Sequence, residues 1–319
     1  MSTFEPIERL EEIMTTGANI LQGKQVILRA GGYSAPTRIA APPEAALLTA
    51  EAAAAPQVTA TFQVTYTGFS NEAMTAFQAA VDVWATALTT DVPIRVDAHW
   101  TPLDPGVLGS AGPENVLRDF SGAPQASTWY PVALANAISG GDLTQGAAHI
   151  SANFNSNFTN WYFGIDGNTP LDRYDLMTVV LHELGHGLGF IGSMDVDNNN
   201  GTSGLAGFPI IWDRFIFNTL GQSLLDTTLF PNNSSQLAGQ LQSNQLFFRG
   251  TNAVFANGNS PVRVYAPTVW EPGSSFSHLD EVTFGSGNPN SLMTPQIGMA
   301  ESIHAPGPIG MGVLRDLGW

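Results

Sequence analysis

Between Leu181 and Ser193 the sequence reads LHELGHGLGFIGS, and three of its side chains have the types and spacing to do chemistry. His182 and His186 are four residues apart, so on a helix both imidazoles leave one face about one turn apart and can take adjacent positions on one metal ion. Glu183 stands beside the first histidine, where it reaches a water on the metal instead of the metal itself. In such an arrangement zinc lowers the pKa of the water toward neutrality and polarises a scissile carbonyl, and the glutamate carries a proton from the water to the leaving amine. The bland alternative is a chance HExxH on a solvated helix. The apolar approach MTVVL, residues 177–181, argues against it, because it makes the helix a buried one.

Two histidines do not complete a catalytic zinc site, which usually has three protein ligands and one open position. The chain has no cysteine and six histidines, so the third ligand is a histidine, a carboxylate or a backbone oxygen. His99 and His149 lie on predicted strands before the helix, and His278 and His304 lie after it. In the compact pattern HExxHxxGxxH the third histidine falls at position 192, which is Gly192 here, although the turn glycine is present as Gly189. The carboxylates Glu271, Glu281, Glu301 and Asp213 are also available, none of them in a helical NExxxD setting. The residues alone leave the choice open.

His278 belongs to GSSFSHLDE and is followed fifteen residues later by Met293 in SLMTP. The order SHLDEVTFGSGNPNSLMTP resembles the leishmanolysin family of metzincin peptidases, in which a long insertion separates the turn glycine from the third histidine and the Met-turn follows. GVLRDLGW at residues 312–319 resembles that family's helix after the Met-turn. The strong agreement is confined to residues 179–192, 277–295 and 312–319. The resemblance implies an α+β, metzincin-like fold: a mixed twisted sheet with the active-site helix in the N-terminal half, and a loop-rich, partly helical C-terminal half. It implies one zinc ion on His182, His186 and His278, Glu183 as general base and acid, and Met293 packed beneath the metal. His304 is the reserve third ligand.

The same resemblance makes the strand AAHISANFN the upper rim of the cleft, with His149, Ser151 and Asn153 along a substrate-binding edge. A protein or peptide substrate would bind there in extended form, gaining main-chain hydrogen bonds and little sequence preference. Eukaryotic leishmanolysins are rich in disulfides and membrane-anchored, so a chain without cysteine looks like a bacterial relative, and latency through a cysteine on zinc is excluded. Where some metzincins place a tyrosine after the Met-turn, this chain has Pro295.

The elements that must position these residues follow from texture. Residues 1–57 read as a leader or linker and a possible pro-segment, with a short amphipathic helix at Ile7 to Met14 and then an Ala/Pro-rich stretch with little to pack. From Val58 a strand is predicted in VTATFQVTYTG, followed by a helix capped by Ser70 with Met74, Phe77, Val81 and Trp84 on one face. VPIRVDAHW is a second strand, Thr101 to Gly146 a long loop, and AAHISANFN a third strand. The metal-site helix begins near Asp172 or Asp175 and closes an N-terminal catalytic subdomain at residues 58–192. The C-terminal subdomain, residues 193–319, carries predicted helices at IIWDRFIFNTLG and IGMGVLRDLGW. DVDNNNGTSG, residues 195–204, spaces oxygen ligands as calcium loops do; its late glycine and missing glutamate favour a plain turn, and structural calcium stays a weak option.

With 319 residues, 43% of them hydrophobic, the chain can bury a sizeable core. A net charge of −16 excludes attraction to nucleic acid or an anionic membrane surface. No run of 18 or more apolar residues could span a bilayer, and no clear signal peptide opens the chain. Acidic, lysine-poor composition and the resemblance suit a secreted, extracellular protein. The expected activity is zinc-dependent endopeptidase. Its rivals are a catalytically silent zinc-fold module for binding or adhesion, which has no need of an intact Glu183, and a zinc hydrolase of another clan with a carboxylate ligand.

Overall fold

The computed structural model describes residues 19–40 and 59–319; the helix expected at Ile7 to Met14 and the Ala/Pro-rich stretch from residue 41 lie outside them. The chain is α+β, with seven α-helices and several sheets among the described residues. Six strands build the main sheet: β2 (Val26–Ile39), β3 (Phe62–Thr67), β4 (Ile94–Thr101), β5 (Val107–Pro113), β8 (Ile150–Asn155) and β16 (Gln296–Ile303). Their order is β16-β2-β5-β8-β4-β3. β3, β4 and β8 run parallel, β5 is antiparallel to β8, β2 is antiparallel to β5, and β16 is parallel to β2.

Two helices cross this sheet. The first, α1 (Asn71–Ala87), starts where expected: the Ser70 side chain accepts from the Ala73 amide, and Phe77, Val81 and Trp84 form a buried face. The metal-site helix α3 (Leu176–Leu188) is capped by Asp175, whose side chain accepts from the Thr178 amide, and every one of its residues is buried. A helix apolar all round has no solvated face, so it must be packed on every side. Trp84 Nε1 donates to the Leu181 carbonyl at 2.9 Å and ties the two helices together. Gly187 lets α3 settle on β8, since a Cβ there would stand 2.4 Å from Ile150.

Three expectations about elements are corrected. The predicted loop from Thr101 to Gly146 contains β5, β6 (Asn115–Arg118), β7 (Tyr130–Pro131) and α2 (Val132–Ser139). Its Gly, Pro and Ser content reflects close backbone approach: a Cβ at Gly112 would meet the Lys24 carbonyl oxygen at 1.9 Å. IIWDRFIFNTLG is a short 3₁₀ turn, Ile211–Phe215, that runs into strand β13 (Ile216–Asn218). Residues 19–39 of the leader are no linker, because β1 (Asn19–Gln22) pairs with β6 and β2 sits inside the main sheet.

The second half surrounds the end of α3. β11 (Asp195–Asp197) and β12 (Asn200–Thr202) form a hairpin. Its turn residues Asn198 and Asn199 have φ of 47° and 63°, the left-handed pair that a tight two-residue turn requires. β13, β14 (Leu246–Phe248) and β15 (Val262–Val264) make a small antiparallel sheet. Of the remaining helices, α4 (Ser235–Leu241) packs on the β11–β12 hairpin and α5 (Thr251–Ala256) against α7 (Gly307–Leu317), while α6 (Glu281–Phe284) is a single turn capped by Asp280. Trp319 Nε1 donates to the Leu188 carbonyl at 2.7 Å, closing the C-terminal end of α3.

Candidate metal centre

The fold brings three imidazoles to one point. His182 and His186 project from the same face of α3, and His278 arrives from the segment between β15 and α6. Their Nε2 atoms form a triangle: 2.9 Å from His186 to His182, 3.1 Å from His186 to His278 and 3.2 Å from His278 to His182. Each Nδ1 faces a backbone carbonyl: Leu292 O at 2.5 Å for His182, Phe190 O at 2.7 Å for His186 and Ser274 O at 2.6 Å for His278. A carbonyl only accepts, so each Nδ1 carries the proton and each neutral ring turns a bare Nε2 lone pair inward. Three lone pairs about 3 Å apart repel one another unless a cation lies between them. A tetrahedral ion with metal–nitrogen bonds of about 2.0–2.1 Å separates its ligand nitrogens by about 3.3 Å, close to the triangle found here. Among the described residues this is the one group of three His, Asp or Glu side chains that converges tightly enough to hold a metal ion.

Electrostatics agree with that donor set. Burial drives the imidazoles toward the neutral, ligating form: His182 falls to about 4, and His186 and His278 fall well below the usual histidine range, with their neighbouring imidazoles adding to the effect. Glu183 is completely buried, and neither carboxylate oxygen has a hydrogen-bond partner. Burial raises its pKa well above the carboxylate range; the backbone N–H groups of Leu28 and Ala111, close by but short of good hydrogen-bond geometry, pull the other way. A buried carboxylate left unpaired costs free energy that a fold does not spend on packing alone. Gly109 on β5 makes its space, since a Cβ there would come within 2.8 Å of Glu183 Oε1.

The local folding explains how a ligand ninety-two residues beyond His186 reaches it. α3 stops at Gly189, with φ of 132°, and the chain turns back along the third-ligand segment. Gly192 N donates to Ser277 Oγ at 3.1 Å. A Cβ on Gly192 would stand 2.3 Å from the ring of Phe276. The place where a compact motif would carry its third histidine is therefore filled by the ring two residues ahead of His278. Tyr265 N donates to the His278 carbonyl and Leu279 N to the Met293 carbonyl, at 2.9 and 2.8 Å. Met293 is buried, and its sulfur lies 2.8 Å from where a Cβ on Gly185 would be. It therefore packs against α3 between the two helical histidines in sequence, while the adjacent Leu292 holds His182.

Two site expectations are corrected. β8 is not a rim, because it pairs with β4 on one side and β5 on the other, so Ser151 and Asn153 have no free backbone edge to offer. His149 is buried away from the triangle: its Nδ1 faces the Arg95 amide at 3.3 Å and its Nε2 the Asn136 amide nitrogen at 3.0 Å. His304 is not a ligand of the cluster. Its Nε2 meets Asp175 Oδ2 at 2.7 Å, so it steadies the residue that caps α3. At the suggested calcium loop Asp195 is engaged by the Val196 amide and by Lys24 at 3.7 Å, and no group of three carboxylates gathers there. The carbonyls of Phe190, Ser274 and Leu292, the cradle at Gly109 and the proximity of β2 carry no signature in residue type and were not foreseeable. No helix among the described residues is long and apolar enough to cross a membrane.

No curated protein and no solved structure matches the chain. A family model described as SPBPB7E8-like matches residues 142–257, a stretch that includes His182, Glu183 and His186 and ends before His278.

Proposed function

We propose that the protein is a zinc-dependent endopeptidase of the metzincin type, resembling the leishmanolysins. One observation carries the reading: three bare Nε2 atoms converge beside a buried glutamate whose two oxygens have no partner. Zinc is the ion that suits three imidazoles and an open fourth position, and when bound it supplies a Lewis acid that acidifies water and polarises a carbonyl. His182, His186 and His278 would hold it. Glu183, buried beside the three imidazoles, would take a proton from the attacking water. As the water oxygen bonds to the carbonyl carbon and the C–N bond breaks, Glu183 returns that proton to the leaving nitrogen. The Leu292 and Phe190 carbonyls set the orientation of His182 and His186, and Met293 packs against α3 at Gly185.

The test is degradation of unfolded casein by the protein and by Glu183→Ala, each with chelator and with zinc restored. Chelator-sensitive cleavage by the native protein alone supports the reading; equal cleavage by Glu183→Ala removes it. A second reading, a silent binding module with a metal held for stability, draws on the complete burial of Glu183 and all but 1% of His182. The extracellular location goes with the peptidase reading, and recovery of the native protein only from cytosol would count against it.

A further inference from the structure

Among the described residues the metal centre is closed over: His182 is 1% exposed, and Glu183, His186 and His278 are at 0%. A centre that hydrolyses peptides must admit water and a substrate carbonyl, so whatever closes it has to leave. The element lying there is β2. Leu28 pairs with Gly109, the glycine that makes room for Glu183. Ile27 N donates to the Gly273 carbonyl at 2.8 Å, and Ser274 Oγ donates to the Ile27 carbonyl at 3.4 Å. Ser274 is the residue whose carbonyl orients His278. Arg29 N donates to the Pro295 carbonyl at 3.2 Å, two residues beyond Met293. Residues 26–29 thus run between β5, the third-ligand segment and the exit of the Met293 turn.

The hold on this segment is mostly main-chain. Of the described side chains of β2 only Val26 and Leu28 are buried. Its middle, RAGG, offers little side-chain anchorage, and Gly31 lets it approach the Ile297 carbonyl oxygen, 3.0 Å from where a Cβ would be. Main-chain pairing along a sheet edge is the way an extended peptide is recognised as an added strand, and any extended chain can reproduce the pairing of residues 26–29 with β5. We propose that residues 26–29 are the resting occupant of the peptide groove. They hold it antiparallel to β5, with Ile27 bonded to the Gly273–Ser274 segment and only Arg29 reaching β16, and a substrate must displace them. The inference rests on the peptidase reading and adds to it. The substrate is an extended segment with an apolar residue at the place of Leu28, and the chain as folded is latent.

The test locks and loosens β2 in the full chain. Ile27 and Ser110 are direct partners in the antiparallel pair and both are half-buried, so Ile27→Cys with Ser110→Cys can form a disulfide, and no native cysteine competes. Leu28→Asp loosens the segment by burying a charge. Two quantities are read: casein cleavage, and the rate at which dipicolinate strips zinc. We expect the oxidised pair to be inactive and to lose zinc about tenfold or more slowly than the reduced pair, because release then requires β2 to open. Leu28→Asp should cleave faster and lose zinc faster than the native protein. If the oxidised and reduced pairs cleave alike and release zinc alike, the centre is reached without moving β2 and the proposal fails, while the peptidase reading stands. Zinc release gated by β2 with no cleavage by any loosened form supports the covering strand and refutes the peptidase reading.

Discussion

Gly192→Ala tests the link between the end of α3 and the third ligand. The added Cβ would lie 2.3 and 2.4 Å from two ring atoms of Phe276 and 3.0 Å from Trp212, so the ring cannot swing aside toward the indole. Phe276 already has φ of 71°, a conformation a bulky residue holds only because its surroundings impose it. Overpacking a filled core typically costs about 1–3 kcal/mol, and with two aromatic rings in the way the upper half of that range is expected. Relief by backbone movement would displace His278, two residues along. Groups that orient metal ligands commonly change affinity by about 10–100-fold when disturbed, so zinc affinity should fall by at least about tenfold. Urea unfolding of the metal-free protein and a competitive zinc titration measure the two effects. Phe276→Leu should partly rescue Gly192→Ala, with a coupling energy of about 1 kcal/mol or more in the double-mutant cycle. Gly192→Ala within about 0.5 kcal/mol of the native protein, and with unchanged zinc affinity, would refute the reasoning.

Asp175 caps α3, accepts from Thr178 N and Oγ1, and meets His304. Asp175→Ala should therefore exceed an ordinary cap loss of about 1 kcal/mol, because it also strands buried partners; a loss below that in urea unfolding would contradict the network. His149 is held at about 4 by burial, with Asp142 opposing and Arg95 reinforcing the fall. Its folded pKa lies below its unfolded value of 6.5, so the unfolded chain binds the extra proton. The stability contribution is full above pH 6.5 and is lost as pH falls toward 4, by up to about 3 kcal/mol. Comparing unfolding of metal-free native protein and His149→Gln across that window should show a shallower slope in the variant, because His182, His186 and His278 are lowered by burial as well and keep their own share in both proteins. Parallel pH profiles would mean that His149 does not titrate as its surroundings dictate.

What could be read in advance was what is written locally. Ser70 and the spacing Phe77, Val81, Trp84 mark α1, and HELGH marks α3, because caps and helical periodicity are properties of neighbouring residues. β5 and β2 were hidden. VLGSAGP and LRAGG look like loops, since Gly109, Gly112 and Gly31 are there to let Glu183, the Lys24 carbonyl and the Ile297 carbonyl approach closely. A glycine's reason for being in a strand lies in a partner far along the chain. The same holds for the site. His182, Glu183 and His186 announce themselves by spacing, whereas His278 could be named only through a resemblance. The Phe276–Gly192 contact that delivers it joins residues 84 apart.

On the zinc reading, His182, His186 and His278 present three Nε2 atoms to one ion and leave one position open. X-ray absorption at the zinc K-edge of the full chain measures this directly. The expected first shell is three imidazole nitrogens and one oxygen at about 2.0–2.1 Å, falling to two imidazoles in His278→Ala. A native shell with fewer than three imidazoles, or one unaffected by His278→Ala, would contradict it.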